Sequence, residues 1–180
     1  MERVVLARHG ESELSLAGRT NGDPSLAVGL TEAGREQARQ LGERRRDDGI
    51  DLVLCSDLAR AVETAEIAFA GTEITIRYDE RLRECNYGSL NGMPRTILDA
   101  ERAQHLDEPW PQGESWREAV ARVAGCLTEL PASHDGQRVL VIGHVATRWA
   151  LDHYVHGRSL EQLVEEDFAW REGWEYRLPG

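Results

Sequence analysis

The feature that most constrains this chain is Arg138-Val139-Leu140-Val141-Ile142-Gly143, an unbroken apolar run that ends on a glycine and is followed by His144. A strand without polar alternation is buried on both faces, and a strand buried on both faces belongs in the middle of a parallel sheet with helices above and below. Parallel neighbours need crossover connections, so the chain must supply further strand–helix units. It does. Glu2-Arg3-Val4-Val5-Leu6-Ala7 reads as a strand that runs into Arg8-His9-Gly10-Glu11, and Asp51-Leu52-Val53-Leu54-Cys55 reads as a short buried strand that runs into Ser56-Asp57. A third strand is expected over Glu73–Tyr78, with Ile74 and Ile76 on one face. The βαβ alternation gives the expected fold class, an α/β protein built as a three-layer α/β/α sandwich.

Between the strands, Ser12 to Leu30 is rich in Gly, Asn, Asp, Pro and Ser and is expected to be a loop. Thr31 caps a helix that ends by Gly49, and Ser56-Asp57 caps a second that runs through Ala68. Pro94 to Leu106 is expected to be helical, broken by Pro109-Trp110-Pro111. Glu114 to Leu130 forms the next helix, with Trp116, Val120, Val123 and Leu127 as its apolar stripe and Pro131 as its stop. A helix through Trp149 and Leu151, a helical turn near Leu160 to Val164 and a closing strand at Trp174 to Leu178 complete the expectation. The aromatic tail from Phe168 to Tyr176 either closes the sheet as a hairpin around Glu172-Gly173 or offers the surface of a homodimer.

At 180 residues the chain fits one domain over 1–180, with a lid-like insertion around 91–113. A net charge of −11 argues against a nucleic-acid or anionic-membrane partner, because counterion release needs clustered Lys and Arg. It leaves room for a small anionic substrate held by a few converging arginines. Cys55, Cys85 and Cys126 have no CxxC spacing and suit a reducing cytosol. With no signal peptide and no apolar run of membrane-spanning length, a cytoplasmic protein is expected.

Three strand ends deliver Arg8-His9, Ser56 leading to Arg60, and Gly143-His144. The carboxyl edge of a parallel sheet is where ligands bind, and Gly10 lets backbone approach a bound group there. Two imidazoles and two guanidiniums around one point suit a phosphoryl group, whose charge is spread over several oxygens. One imidazole can attack phosphorus and a carboxyl group, for which Glu84 is the candidate, can protonate the leaving oxygen.

The residues that carry this chemistry sit in blocks: Arg8-His9-Gly10-Glu11-Ser12, Gly29-Leu30-Thr31-Glu32-Ala33-Gly34, Ser56-Asp57-Leu58-Ala59-Arg60-Ala61, Leu82-Arg83-Glu84 with Tyr87-Gly88 and Asn91-Gly92, Gly113-Glu114-Ser115, and Val141-Ile142-Gly143-His144. In this order they resemble the histidine phosphatase superfamily, the phosphoglycerate mutase-like proteins. The resemblance implies a mostly parallel, mixed central sheet, a phosphohistidine on His9, and phosphoryl binding by Arg8, Arg60 and His144. It also implies that Glu84 is general acid and then base, with no metal and no cofactor. Ser15 stands where the family often has Asn and is a weaker donor to substrate; Val145-Ala146 replace the usual Gly after the second His. The reading is a metal-independent phosphomonoesterase acting on a small phosphorylated metabolite. Alternatives are a primed phosphoglycerate mutase, for which the interval between acid and second His offers no Arg-Arg pair as a second clamp, a phosphoprotein phosphatase, and a non-catalytic phosphate-binding module.

Arg95 reads either as a substrate-selecting cation at the rim or as a solvated charge, and Tyr87 either as a rim contact or as a packed ring with a wet hydroxyl. His153 and His156 read as an exposed helical face rather than metal ligands, and Cys85 as a small buried hydrophobe. The tryptophans read as core and lid packing, with Trp110 the one most suited to the cleft.

Overall fold

The computed structural model describes residues 3–166 and 174–178. Thirteen regular elements follow in chain order: β1 (Arg3–Arg8), α1 (Glu13–Leu16), α2 (Glu32–Arg45), β2 (Leu52–Cys55), α3 (Ala59–Ala68), β3 (Thr75–Tyr78), α4 (Arg95–Glu101), α5 (Trp116–Leu127), α6 (Leu130–Ser133), β4 (Arg138–Gly143), α7 (Val145–His156), α8 (Leu160–Glu165) and β5 (Trp174–Arg177). The strands form one sheet in the order β3-β2-β4-β1-β5. All pairs are parallel except β1 with β5. As its pattern demands, β4 lies in the centre.

Side-chain alternation divides the strands between two apolar clusters. Val4, Leu6, Leu52, Leu54, Val139 and Val141 face the layer that holds Val120 and Val123 of α5 and Trp149 of α7. Val5, Ala7, Val53, Cys55, Leu140 and Ile142 face Leu41 of α2 and Ala61, Ala65 and Ala68 of α3. The expected three-layer sandwich is therefore present. Each of these buried aliphatic side chains contributes about 1.5–3 kcal/mol through removal from water, so the sheet is a rigid platform for whatever its carboxyl edge carries.

Several local expectations need correction. The segment 12–30 contains α1, because Ser12 accepts the Ser15 N–H and the Ser15 hydroxyl accepts the Ser12 N–H, a reciprocal cap that starts a helix without an apolar face. Ser56-Asp57 do not cap α3; its N-cap is Leu58, which has no side-chain cap. Asp57 instead pairs with Arg83 at 2.5 Å. The helix expected to reach Leu106 ends at Glu101. The helix over 114–130 is shorter, from Trp116 to Leu127, and Pro131 lies in the first turn of α6 rather than stopping α5, since a missing N–H is harmless there. β5 closes the sheet beside β1; the hairpin turn expected around Glu172-Gly173 lies outside the described residues. No described helix is long and apolar enough to cross a membrane.

Gly10 shows why the first motif is tied to the helix after it. A Cβ on Gly10 would lie 2.4 Å from the carbonyl oxygen of Gly34, and one on Gly34 would lie 2.0 Å from that of Glu11. The backbone that Gly10 admits is thus that of α2, not that of a bound group. Thr31 caps α2 through the Gly34 N–H and donates its hydroxyl to the Glu11 carboxylate at 2.8 Å, so both motifs fold as one unit.

Candidate active site

The sheet register explains how two distant histidines meet. Arg8 pairs with Gly143 across β1 and β4, so the next residue of each strand, His9 and His144, emerges side by side at the carboxyl edge. Their ring centroids are 5.1 Å apart. Arg60, in the first turn of α3, reaches between them: its Nε donates to His9 Nε2 at 3.1 Å and its Nη2 lies 3.2 Å from His144 Nδ1 and donates to the Asn21 carbonyl at 2.9 Å. Thr64, one turn on, accepts the Gly10 N–H at 2.9 Å and donates to the Arg60 carbonyl, which ties α3 to the loop after β1.

These contacts fix the tautomers. A guanidinium only donates, so His9 Nε2 and His144 Nδ1 both present lone pairs. His9 Nδ1 lies 2.7 Å from the Gly10 carbonyl and therefore carries the hydrogen. His144 must then carry its hydrogen on Nε2, a buried atom with no acceptor. Both rings are neutral: burial, with Arg60 and Arg8 adding to it, holds His9 well below the ordinary histidine value, and burial, Arg60 and the neighbouring His9 ring do the same for His144. Burial followed by the charge of Arg95 lowers Arg8 to about 10, still protonated at neutral pH. The floor is therefore cationic through its guanidiniums, and His9 keeps an unprotonated nitrogen.

Glu84 is buried at the cleft and anchored at the start of α7. Oε1 accepts the N–H groups of Cys85 and Ala146, at 3.0 and 3.1 Å, and Oε2 accepts that of Val145 at 3.1 Å. The two amides that follow the second histidine thus anchor the Glu84 carboxyl group at the start of α7. Oε2 takes one N–H and keeps a lone pair.

The cleft above this floor encloses about 790 Å³, its open mouth included. Arg8, His9, Ser15, Arg60, Glu84, Tyr87 and Arg95 all line it, whereas His144 lies behind His9. Ser15 contributes its edge only, since its hydroxyl is spent on the Ser12 amide and carbonyl. Tyr87 is a packed ring, edge-on to Trp110 and Trp116, whose phenol burial pushes well above its usual range.

Sequence reasoning missed much of the wall. Arg19, Arg102, Asp99, Leu98, Trp116 and Trp149 line it as well. Arg19 is carried by the loop before Asn21 and bridges to Pro94, Arg95 opens α4, and Arg102 follows it. A second group of cations therefore forms from separate segments, without an adjacent Arg-Arg pair. Trp110, the tryptophan expected at the cleft, is instead buried in the core and stacks on His105 with centroids 3.7 Å apart. Trp116 and Trp149, read from sequence as packing residues, are both core and cleft wall. Among the described residues, no three His, Cys, Asp or Glu side chains gather into a group that could hold a metal ion; His153 Nδ1 bonds the Arg158 carbonyl and His156 faces Asp152.

Two neutral imidazoles, paired arginines and a carboxyl group thus gather at the carboxyl edge of a mixed α/β sheet. The family model of the histidine phosphatase superfamily (branch 1) matches residues 4–169, and the chain belongs to that superfamily. A probable phosphoglycerate mutase GpmB from Erwinia tasmaniensis is 36% identical over 157 residues, covering 80% of this chain and 70% of the relative. An uncharacterized phosphatase PhoE from Bacillus subtilis is 31% identical over 161 residues, covering 89% and 81%. Among solved structures, a mycobacterial glucosyl-3-phosphoglycerate phosphatase determined with VO3 superposes with a TM-score of 0.77 at 28% identity, covering 91% of this chain and 86% of the other. Relatives of both mutase and phosphatase name are similar to this chain in sequence, and the phosphatase-named ones support a phosphatase.

Proposed function

We propose that the chain is a cytoplasmic, metal-independent phosphomonoesterase that hydrolyses a small phosphorylated metabolite through a phosphohistidine on His9. The observation that carries this reading is the tautomer of His9: Nδ1–H held by the Gly10 carbonyl, and an unprotonated Nε2 facing the arginines. In the first step Nε2 attacks phosphorus, the ester P–O bond breaks, and protonated Glu84 gives its proton to the departing alcohol. In the second, Glu84 takes a proton from water, the oxygen attacks phosphorus, and the N–P bond breaks to return neutral His9. Arg60 turns from the imidazoles to the phosphoryl oxygens and Arg8 joins it, while His144, which does not line the cleft, stays buried beside His9. Three buried, unpaired cysteines fit a reducing compartment.

The wall refines the substrate. Arg8, Arg19, Arg60, Arg95 and Arg102 line the cleft against Asp99 and the Glu84 carboxyl group, a surplus of at least three positive charges. A phosphomonoester dianion offsets two, so a substrate with a further anionic group, a carboxylate or a second phosphate, fits best. The same surplus favours a second reading, a mutase primed by a bisphosphate, in line with the mutase-named relative.

Hydrolysis of a panel of phosphorylated metabolites, carboxylated ones and an aryl phosphate included, measured with chelator in wild type and His9→Ala, tests the proposal. Turnover by wild type with chelator present, absent from His9→Ala, is expected. Retained activity in His9→Ala overturns the mechanism, and isomerisation only in the presence of a bisphosphate replaces hydrolase with mutase.

A further inference from the structure

The segment that bears Glu84 is irregular, lying between a 3-10 turn over Glu80–Leu82 and another over Gly88–Leu90, yet a general acid must be placed within a fraction of an ångström. One side chain grips three carbonyls of its main chain. The guanidinium of Arg122, on α5, donates through Nη1 to the carbonyls of Arg81 at 2.9 Å and Arg83 at 3.2 Å, and through Nη2 to that of Glu84 at 3.3 Å. Its Nε and Nη2 donate to the two carboxylate oxygens of Glu114 at 2.7 and 2.8 Å. All five N–H groups are used. Glu114 Oε2 also accepts the Asn86 N–H at 3.0 Å, and the Glu114 N–H donates to the Asn86 carbonyl at 2.8 Å.

We propose that Arg122, oriented by Glu114, is a positioning residue for the general acid: it sets the main chain of Glu84 from the α5 side while the α7 amides set its carboxylate. This rests on Glu84 acting as the acid. The arrangement needs a planar fork. A lysine can reach one of these acceptors but not the bidentate carboxylate and three carbonyls together. Arg122 does not line the cleft, and its charge reaches His144 only as the weakest of several influences, so its main effect belongs to proton delivery rather than to phosphate binding.

The test compares an alkyl phosphate, which has a poor leaving group, with an activated aryl phosphate in wild type, Arg122→Lys, Arg122→Met, Glu114→Gln, Glu84→Gln and the double variant Arg122→Met/Glu84→Gln. Loss of kcat/KM, which reports the ester-cleaving step and not the later water step, of about 10²-fold on the alkyl ester in Arg122→Met, the scale of a small misplacement of a catalytic group, is expected with a much smaller loss on the aryl ester. Inhibition by inorganic phosphate should stay unchanged, and the double variant should be no slower than Glu84→Gln alone. Glu114→Gln, which keeps its shape, should show the same selectivity more weakly and serves if Arg122→Met does not fold. Equal slowing of both esters, or a full additional loss in the double variant, overturns the positioning role. If Glu84→Gln itself shows no preference for the alkyl ester, the acid assignment fails and the inference with it, an outcome distinct from failure of Arg122 alone.

Discussion

The floor and the wall of the cleft are built by different physics. The floor comes from strand ends: β1 and β4 are in register, so His9 and His144 are adjacent for the same reason that Arg8 and Gly143 pair. Its polar atoms bond to one another through Arg60, Gly10 and Thr64, with His144 Nε2 left over. The wall comes from α4 and the loops beside it, and its cations are held apart from the floor, Arg19 by the Gly92 carbonyl at 2.5 Å and Arg102 by the Glu166 carbonyl at 2.8 Å. Arg95 lies 3.6 Å from Asp99, both about half exposed, and Arg102 lies 3.7 Å from the same carboxylate. The difference teaches that the chemistry is fixed by the sheet while the choice of substrate is carried by a region free to change without disturbing it.

Substitutions can break this division, and the largest effect belongs at the floor. His9→Ala should lower kcat by roughly 10⁴-fold or more, as removal of a nucleophile does, with an unchanged circular dichroism spectrum. Arg60→Ala should cost roughly 10²–10³-fold, the range for one oxyanion-stabilising donor. It should also move the acid limb of the kcat/KM profile to higher pH, because the charge that helps hold His9 low is removed while burial remains. A rate profile whose acid limb stays in place would separate Arg60 from His9.

Stability should report the buried floor too. His144 is neutral when folded and has its ordinary pKa when unfolded, so below about pH 6.5 the unfolded chain binds the extra proton. Stability contributed by the neutral ring is complete above that pH and is lost as pH falls toward the depressed folded value, by up to about 1.4 kcal/mol per pH unit. Urea midpoints between pH 7 and 5 should fall less steeply in His144→Asn. At the wall, Arg95→Ala should raise KM about tenfold, the size of one partly exposed ionic contact of about 1.4 kcal/mol, for a carboxylated substrate and hardly at all for an aryl phosphate. Equal change for both would place Arg95 in the floor. Smallest is Ser159→Ala, remote from both regions, which removes the cap of α8 and should cost about 1 kcal/mol of stability with kcat unchanged.

The same division decides what could be read from the sequence. The apolar run of β4 and the polar ends of β1 and β4 name both the central strand and the chemistry, because a buried strand has few alternatives and its last residue has a fixed exit. Arg60 follows from its place just after β2. Glu84 could be named but not positioned, since its anchors are amides of Val145 and Ala146 that carry no side-chain signal. Arg19 and Arg102 were illegible: each is an ordinary polar residue in its own segment, and they converge only when α4 is laid against the loop near Asn21. Trp110 and Trp116 exchanged roles for a similar reason, because which face of an aromatic cluster meets a cleft is set by long-range packing.

The central claim is the covalent one, and the most direct measurement is the intact mass of the protein quenched within milliseconds of mixing with an activated aryl phosphate, followed by peptide mapping under alkaline conditions that preserve phosphohistidine. The account predicts one added phosphoryl group on His9 that forms in wild type, accumulates in Glu84→Gln where the water step is slowed, and is missing in His9→Ala. Turnover with no phosphoryl group on His9 at any time, in wild type and in Glu84→Gln alike, would contradict it.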